Sequence, residues 1–346
     1  MTTALDVQAM QVMFGAHAGL RDITLQVQAG DCLAILGASG SGKSSLLRTL
    51  AGLQDAAGGR VLVHGRDVSA LPPERRSVVY LHQEPVLFPH RTVLKNVLFP
   101  LQMRGVAAAE ARRQALEWLT TLQVAAVADR MPSTLSGGQR HRVALARALC
   151  AAPAVLLLDE PLASLDPAIR RDVRDALLAA RAASGAAMVL VTHDLDDALA
   201  IATQLMTLED GRQTPPASPS ALLASPSSLA TARLLGVYAE LQGEVIATAN
   251  GRQFRWIGGG LAASGIGTGP AVACVRSHEI EVHRQGDLDA PRLTVVEQRQ
   301  GAHEILLGVR DDHGETALLR VSGATTVAVG DTVQVTMACA RFFPLA

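Results

Sequence analysis

The chain has 346 residues, enough for two domains that each bury a core of their own. Hydrophobic residues make up 49%, charged residues 18%, and the formal net charge is −1, a balance that excludes a disordered chain and gives no sign of a polyanionic partner. Aromatic residues, at 3%, are too few for the stacking platforms of a single-stranded nucleic-acid binder.

Residues 5–13 and 20–27 alternate apolar and polar in the manner of half-buried strands, broken by Gly15 and Gly19. A continuous apolar run at 32–36 predicts a buried strand, and 43–53 carries apolar residues at helical spacing. Between them lie Gly37, Ala38, Ser39, Gly40, Ser41, Gly42, Lys43 and Ser44, the phosphate-binding-loop pattern in its required strand–loop–helix context. The glycines let successive backbone N–H groups face phosphate oxygens, and the helix adds its positive end. Lys43 is expected at the β- and γ-phosphates and the Ser44 hydroxyl on Mg²⁺, with Ser45 beside them.

The run 78–81 is strand-like and is followed by Gln83, placed to reach the metal or the attacking water. From about 84 to 150 the pattern is mostly helical, which predicts a helical subdomain inserted in an α/β core. Within it, Ser136, Gly137, Gly138 and Gln139 open a helix over 139–149. That is a second helix terminus offering a hydroxyl and backbone N–H groups, with no lysine of its own. Two such termini and one lysine suggest that they face each other across a dimer.

Buried strands follow at 154–158 and 188–192, with an amphipathic helix over 172–183 between them. Strands alternating with helices indicate a parallel sheet covered on both faces. The first of these strands ends in Asp159 and Glu160, and the second is followed by His193, all at the edge where such sheets bind ligands. Asp159 is expected to hold Mg²⁺ and Glu160 to polarise the attacking water. Leu165 and Asp166 lie just beyond, where Asp166 could also cap the next helix.

A Pro- and Ser-rich stretch at 214–228 reads as a linker, and past Gly236 short β-like runs recur between glycines and Asp-rich turns. The expected division is an ATPase domain at 1–236 and a small all-β barrel at 237–346. Cys32, Cys150, Cys274 and Cys339 fall at no metal or redox spacing, no apolar run approaches the roughly 18–20 residues of a spanning helix, and residues 1–15 do not read as a signal peptide. Any membrane association is therefore expected through a partner.

These motifs, in this order, resemble the nucleotide-binding subunit of ABC transporters. The phosphate-binding loop corresponds to 37–44, the Q-loop residue to Gln83, the signature to 135–139, the Walker B strand to 155–160, the D-loop to 164–166 and the switch histidine to His193. The resemblance implies an α/β P-loop NTPase core with a helical subdomain and a small OB- or TOBE-like tail. It implies ATP and Mg²⁺ as cofactors, with Phe14 stacking on adenine, and a dimer of this chain or a pair with a homologue. Each ATP would lie between the phosphate-binding loop of one subunit and the signature of the other. Integral membrane permease subunits would grip the surface around Gln83, and a solute-binding protein would complete an importer at the cytoplasmic face of the inner membrane. His82 departs from the family, which more often has phenylalanine there. The tail is loosely similar to those of sulfate, molybdate, ferric-ion and polyamine importer subunits. Two rival readings are a soluble ATPase of the same family acting on ribosomes or DNA, and an importer subunit whose Arg276 and His278 sense a small oxyanion.

Overall fold

A computed structural model describes residues 2–14, 17–163, 165–236, 238–249, 251–284, 290–301 and 304–345. The chain divides into two compact units, Met1–Leu222 and Leu223–Ala346.

The first unit holds two sheets. Strands β1 (Thr3–Phe14), β2 (His17–Gln28), β4 (Gly58–Val63) and β5 (Arg66–Asp67) form an antiparallel sheet in the order β2-β1-β4-β5. The second sheet comprises β3 (Cys32–Leu36), β6 (Val78–Leu81), β7 (Val155–Asp159), β8 (Ala187–Thr192), β9 (Gln204–Glu209) and β10 (Arg212–Gln213), in the order β10-β9-β3-β8-β7-β6. All its pairings are parallel except that of β10 with β9. Every residue of β3, β7 and β8 is buried, as a parallel sheet covered on both faces requires. Each fully buried Leu, Ile or Val there contributes about 1.5–3 kcal/mol relative to exposure. One shared core joins the two sheets to helix α1 (Lys43–Ala51) through Leu46, Leu47 and Leu50.

Between β6 and β7 the chain forms α2 (Val93–Met103), α3 (Ala108–Thr121) and α4 (Gly137–Cys150), which pack on one another. Asn96 on α2 is wholly buried. Its amide accepts from Phe88 N–H at 2.7 Å and donates to the carbonyls of Phe88, Arg91 and Thr92, so one side chain ties the loop after β6 to the helix. Helix α5 (Pro167–Ser184) connects β7 to β8, and α6 (Leu195–Ile201) follows β8.

The second unit starts with part of α7 (Pro219–Ala224) and with α8 (Leu229–Leu235). Helix α8 packs on β11 (Tyr238–Thr248) and on β14 (Gly269–Arg276), which is why it groups with the β unit. The remaining strands are β12 (Gly251–Trp256), β13 (Gly259–Ala262), β15 (Ile280–His283), β16 (Leu293–Gln300), β17 (Glu304–Arg310), β18 (Thr316–Ser322), β19 (Thr332–Met337) and β20 (Arg341–Pro344). They form two antiparallel five-stranded sheets, β13-β12-β11-β14-β20 and β15-β19-β16-β17-β18, around a common core that includes Phe254, Leu241, Leu307 and Leu319.

Candidate active site

Three neighbouring parallel strands bring the sequence-predicted groups to one sheet edge. The phosphate-binding loop leaves the end of β3, Asp159 ends β7, and His193 follows β8, which lies between them. The turn into α1 depends on Gly42, whose φ of 101° is open to glycine and strained for other residues. A cavity of about 300 Å³ is lined by Ser39, Gly40, Gly42, Lys43, Ser44, Ser45, Arg48 and Glu160.

Lys43 is 5% exposed, and its ammonium donates to the carbonyls of Gly37 and Ala38, each at 2.8 Å. Burial pulls its pKa down, and the nearby Glu160 and Asp159 carboxylates push back. An ammonium has three donors; two are engaged by the loop, leaving one for an anion in the cavity. The Ser44 hydroxyl donates to Asp159 Oδ1 at 2.9 Å, and the phenol of Tyr80 on β6 donates to Asp159 Oδ2 at 2.5 Å. Hydroxyl and carboxylate oxygens are the donor set that Mg²⁺ accepts beside phosphate, so this pair fits the metal that the fold implies.

Glu160 has φ 44°, a left-handed conformation that costs a non-glycine residue about 1–3 kcal/mol. Its N–H donates to the Val191 carbonyl at 3.0 Å, and its Oε2 lies 3.3 Å from His193 Nδ1. The strained backbone thus turns the carboxylate away from the strand, toward both the cavity and the histidine. His193 is 61% exposed at its side chain, free to meet a ligand. The next residue, Asp194, caps α6 by accepting from Asp197 N–H at 3.0 Å. Arg170 on α5 donates to Asp197 and lies 2.5 Å from Asp194, which ties α5 to the segment that carries the histidine.

Ser136, Gly137, Gly138, Gln139, Gln83 and Asp166 are not among the residues that line this cavity. Ser136 caps α4: its hydroxyl accepts from Gln139 N–H at 3.2 Å, while Gln139 Oε1 accepts from Ser136 N–H at 3.0 Å. A Cβ on Gly137 would meet only the Arg140 guanidinium, at 4.0 Å, whereas a Cβ on Gly138 would come within 2.9 Å of Ile169 Cγ2. Gln83 is exposed, and His141 on α4 spans its carbonyl and that of Gly137, at 3.2 and 3.0 Å. Asp166 holds the N-cap position of α5 but its side chain makes no capping bond. The Phe14 side chain and Ser164 lie outside the described residues. His82 is exposed and packs edge-on against Tyr80, with ring centroids 4.5 Å apart.

Sequence reasoning missed Tyr80, Arg170 and Asp197. The tail's Arg276 is committed to Glu279, 2.6 Å away, within its own turn, which leaves the oxyanion reading with the exposed His278. Burial pushes the thiols of Cys32, Cys150 and Cys274 up to about 12, so they stay protonated and poorly reactive. Among the described residues no helix is long and apolar enough to cross a membrane.

A family profile described as "ABC transporter" matches residues 20–163. The sulfate/thiosulfate import ATP-binding protein CysA of Burkholderia mallei is 35% identical over 349 residues, covering 98% of this chain and 99% of the relative. The chain belongs to the ABC transporter ATP-binding subunits. The Fe(3+) ions import ATP-binding protein FbpC of Rhizobium etli is 41% identical over 239 residues, which is 69% of this chain and 68% of that protein. Among solved structures, the ADP conformation of MJ1267, an ATP-binding cassette of an ABC transporter, superposes with a TM-score of 0.58 at 26% identity. It covers 65% of this chain and 96% of its own. The chain is thus an ATPase subunit of the importer type, and the α/β P-loop core with an all-β tail is the architecture expected from the motifs.

Proposed function

We propose that this subunit binds Mg²⁺-ATP between two copies of itself and hydrolyses it to drive solute uptake through separate membrane subunits. The observation that carries the reading is the convergence of Lys43, Ser44, Asp159, Glu160 and His193 on one edge of the sheet. In this reading the loop N–H groups of residues 37–45 and the free donor of Lys43 hold the phosphates. Ser44 and Asp159 would hold the metal, which would supply charge neutralisation at the phosphate oxygens, and Gln83, exposed and outside the cavity lining here, would join them only by a movement of its segment. Glu160 accepts a hydrogen bond from the attacking water, and His193 fixes that carboxylate and reaches the terminal phosphate.

Ser136, Gly137, Gly138, Gln139 and Asp166 are not among the residues lining the cavity of their own chain, and Ser136, at the start of α4, is exposed. Their use therefore calls for a facing subunit, either a second copy or a homologue. Phe14 would stack on the adenine. A separate cavity of about 330 Å³, lined by Tyr80, Pro85, Val86, Phe88, Phe99 and Arg147 among others, favours an apolar partner element beside Gln83. A permease subunit at the inner membrane's cytoplasmic face is the occupant we assign, with a solute-binding protein upstream of it. Relatives named for a metal cation and for an oxyanion resemble the chain to similar degrees, which fits a motor that leaves solute choice to other subunits.

Replacing Glu160 by Gln tests the chemistry. ATP binding persists and turnover falls by about 10²–10⁴-fold, the usual worth of a positioned proton acceptor. Hydrolysis at the wild-type rate would remove Glu160 from this role.

A further inference from the structure

Asp159 has both carboxylate oxygens engaged by hydroxyls that arrive from opposite sides. Ser44, which belongs to the phosphate-binding loop, takes Oδ1, and Tyr80 takes Oδ2. Tyr80 belongs to none of the nucleotide motifs. It sits on β6 opposite Leu157 of β7 in the parallel register, and residues two apart on a strand project to the same face. Leu157 and Asp159 therefore share a face with Tyr80, and the ring reaches along the sheet to the acid at the strand end. The Tyr80 ring is partly buried against the main core.

We propose that Tyr80 is a positioning residue of the metal site, whose hydroxyl fixes the rotation of the Asp159 carboxylate so that its remaining lone pairs face Mg²⁺. A carboxylate held on one side only can turn about its terminal bond. Held on both sides, it offers one orientation to the metal, and outer partners of this kind tune metal affinity strongly. The bland alternative is a tyrosine that buries its ring for packing and finds in Asp159 a convenient acceptor. The two differ in what the metal experiences when the hydroxyl is removed.

The inference rests on the reading that Ser44 and Asp159 take the nucleotide's Mg²⁺. The experiment uses the full chain as wild type, Tyr80→Phe, Asp159→Asn and the double variant, and measures binding of a fluorescent ATP analogue in EDTA and across a Mg²⁺ titration. Tyr80→Phe keeps the ring and removes one oxygen, and thermal melting without metal confirms an intact fold. The half-saturating Mg²⁺ concentration should rise on the order of tenfold, the low end for loss of an outer hydrogen bond to a metal ligand. Nucleotide affinity in EDTA should stay within about twofold of wild type, because the loop contacts are untouched. In the Asp159→Asn background, Tyr80→Phe should have no further effect on the Mg²⁺ requirement. An unchanged Mg²⁺ requirement in Tyr80→Phe overturns the proposal, and so does an equal rise in the Asp159→Asn background. A wild-type chain whose nucleotide binding ignores Mg²⁺ overturns the metal reading itself, and the proposal with it.

Discussion

Lys43 illustrates how a single residue is prepared for an anion. Its ammonium is buried and braced by two carbonyls at 2.8 Å, yet no carboxylate forms an ion pair with it among the described residues. A cation held this way has donor capacity in reserve, and a phosphate is the group that would use it. Lys43→Ala should weaken ATP binding by at least tenfold, since a charge-assisted hydrogen bond is worth about 1.5–3 kcal/mol. Fluorescence titration with an ATP analogue checks this, and the variant should melt close to wild type because the braced charge contributes little net stability once desolvation is counted. Lys43, Ser44, Asp159 and Glu160 were legible in the sequence because each sits in a short motif whose spacing fixes its own local geometry. Tyr80 was not. Its partner lies 79 residues away, and only the pairing of β6 with β7 brings them together.

Elements are held to one another by a few buried polar groups, and these too were beyond a reading of motifs. Arg170, one turn into α5, clamps Asp197 and Asp194, the residues that open α6 just after His193. Asp197 is 3% exposed at its side chain, so Arg170→Met leaves a buried carboxylate without its cation and should cost about 3 kcal/mol of stability. Burial alone would raise the Asp194 pKa. The N–H groups of the α6 cap and the Arg170 guanidinium outweigh it, and the net direction is downward. The corresponding stability is therefore fully present above the unfolded carboxylate's pKa of about 3.9 and is lost as pH falls through the lower folded value. Thermal melts from pH 6 to pH 3 should show the wild type losing this increment in acid and Arg170→Met losing a smaller one, because the cap N–H groups remain. Asn96 does comparable work between α2 and the loop after β6. Asn96→Ala strands the Phe88 N–H and leaves a void, and should lower stability by about 2–3 kcal/mol in denaturant unfolding. Neither residue stands out in the sequence, since a lone Arg or Asn on a helix is ordinarily a solvated one.

The whole molecule divides at Leu222/Leu223, whereas the change of texture in the sequence comes past Gly236. The difference is α8: its composition resembles the helices before it, but it packs on β11 and β14. Hydrophobic alternation marks where strands begin and carries no record of which core a helix joins. Four of the nucleotide-site strands were visible as apolar runs, while the antiparallel pair β4 and β5 was not, because β4 opens on two glycines and an arginine before a three-residue apolar run and β5 is two exposed charged residues. Every residue of the candidate cavity belongs to the first unit, so a chain ending at Leu222 that circular dichroism shows to be folded should still bind ATP. The mechanism proposed above turns on one cavity being shared, with the loop of one chain completed by the signature of another. It is tested most directly by mixing wild-type chain with a size-tagged Lys43→Ala chain and irradiating with an ATP analogue that carries a photoreactive group on its γ-phosphate. Only the wild-type chain then holds nucleotide firmly at its phosphate-binding loop. A shared cavity puts label on the Ser136-to-Gln139 peptide of the Lys43→Ala chain, whereas label on that peptide only in the wild-type chain would rule the shared cavity out.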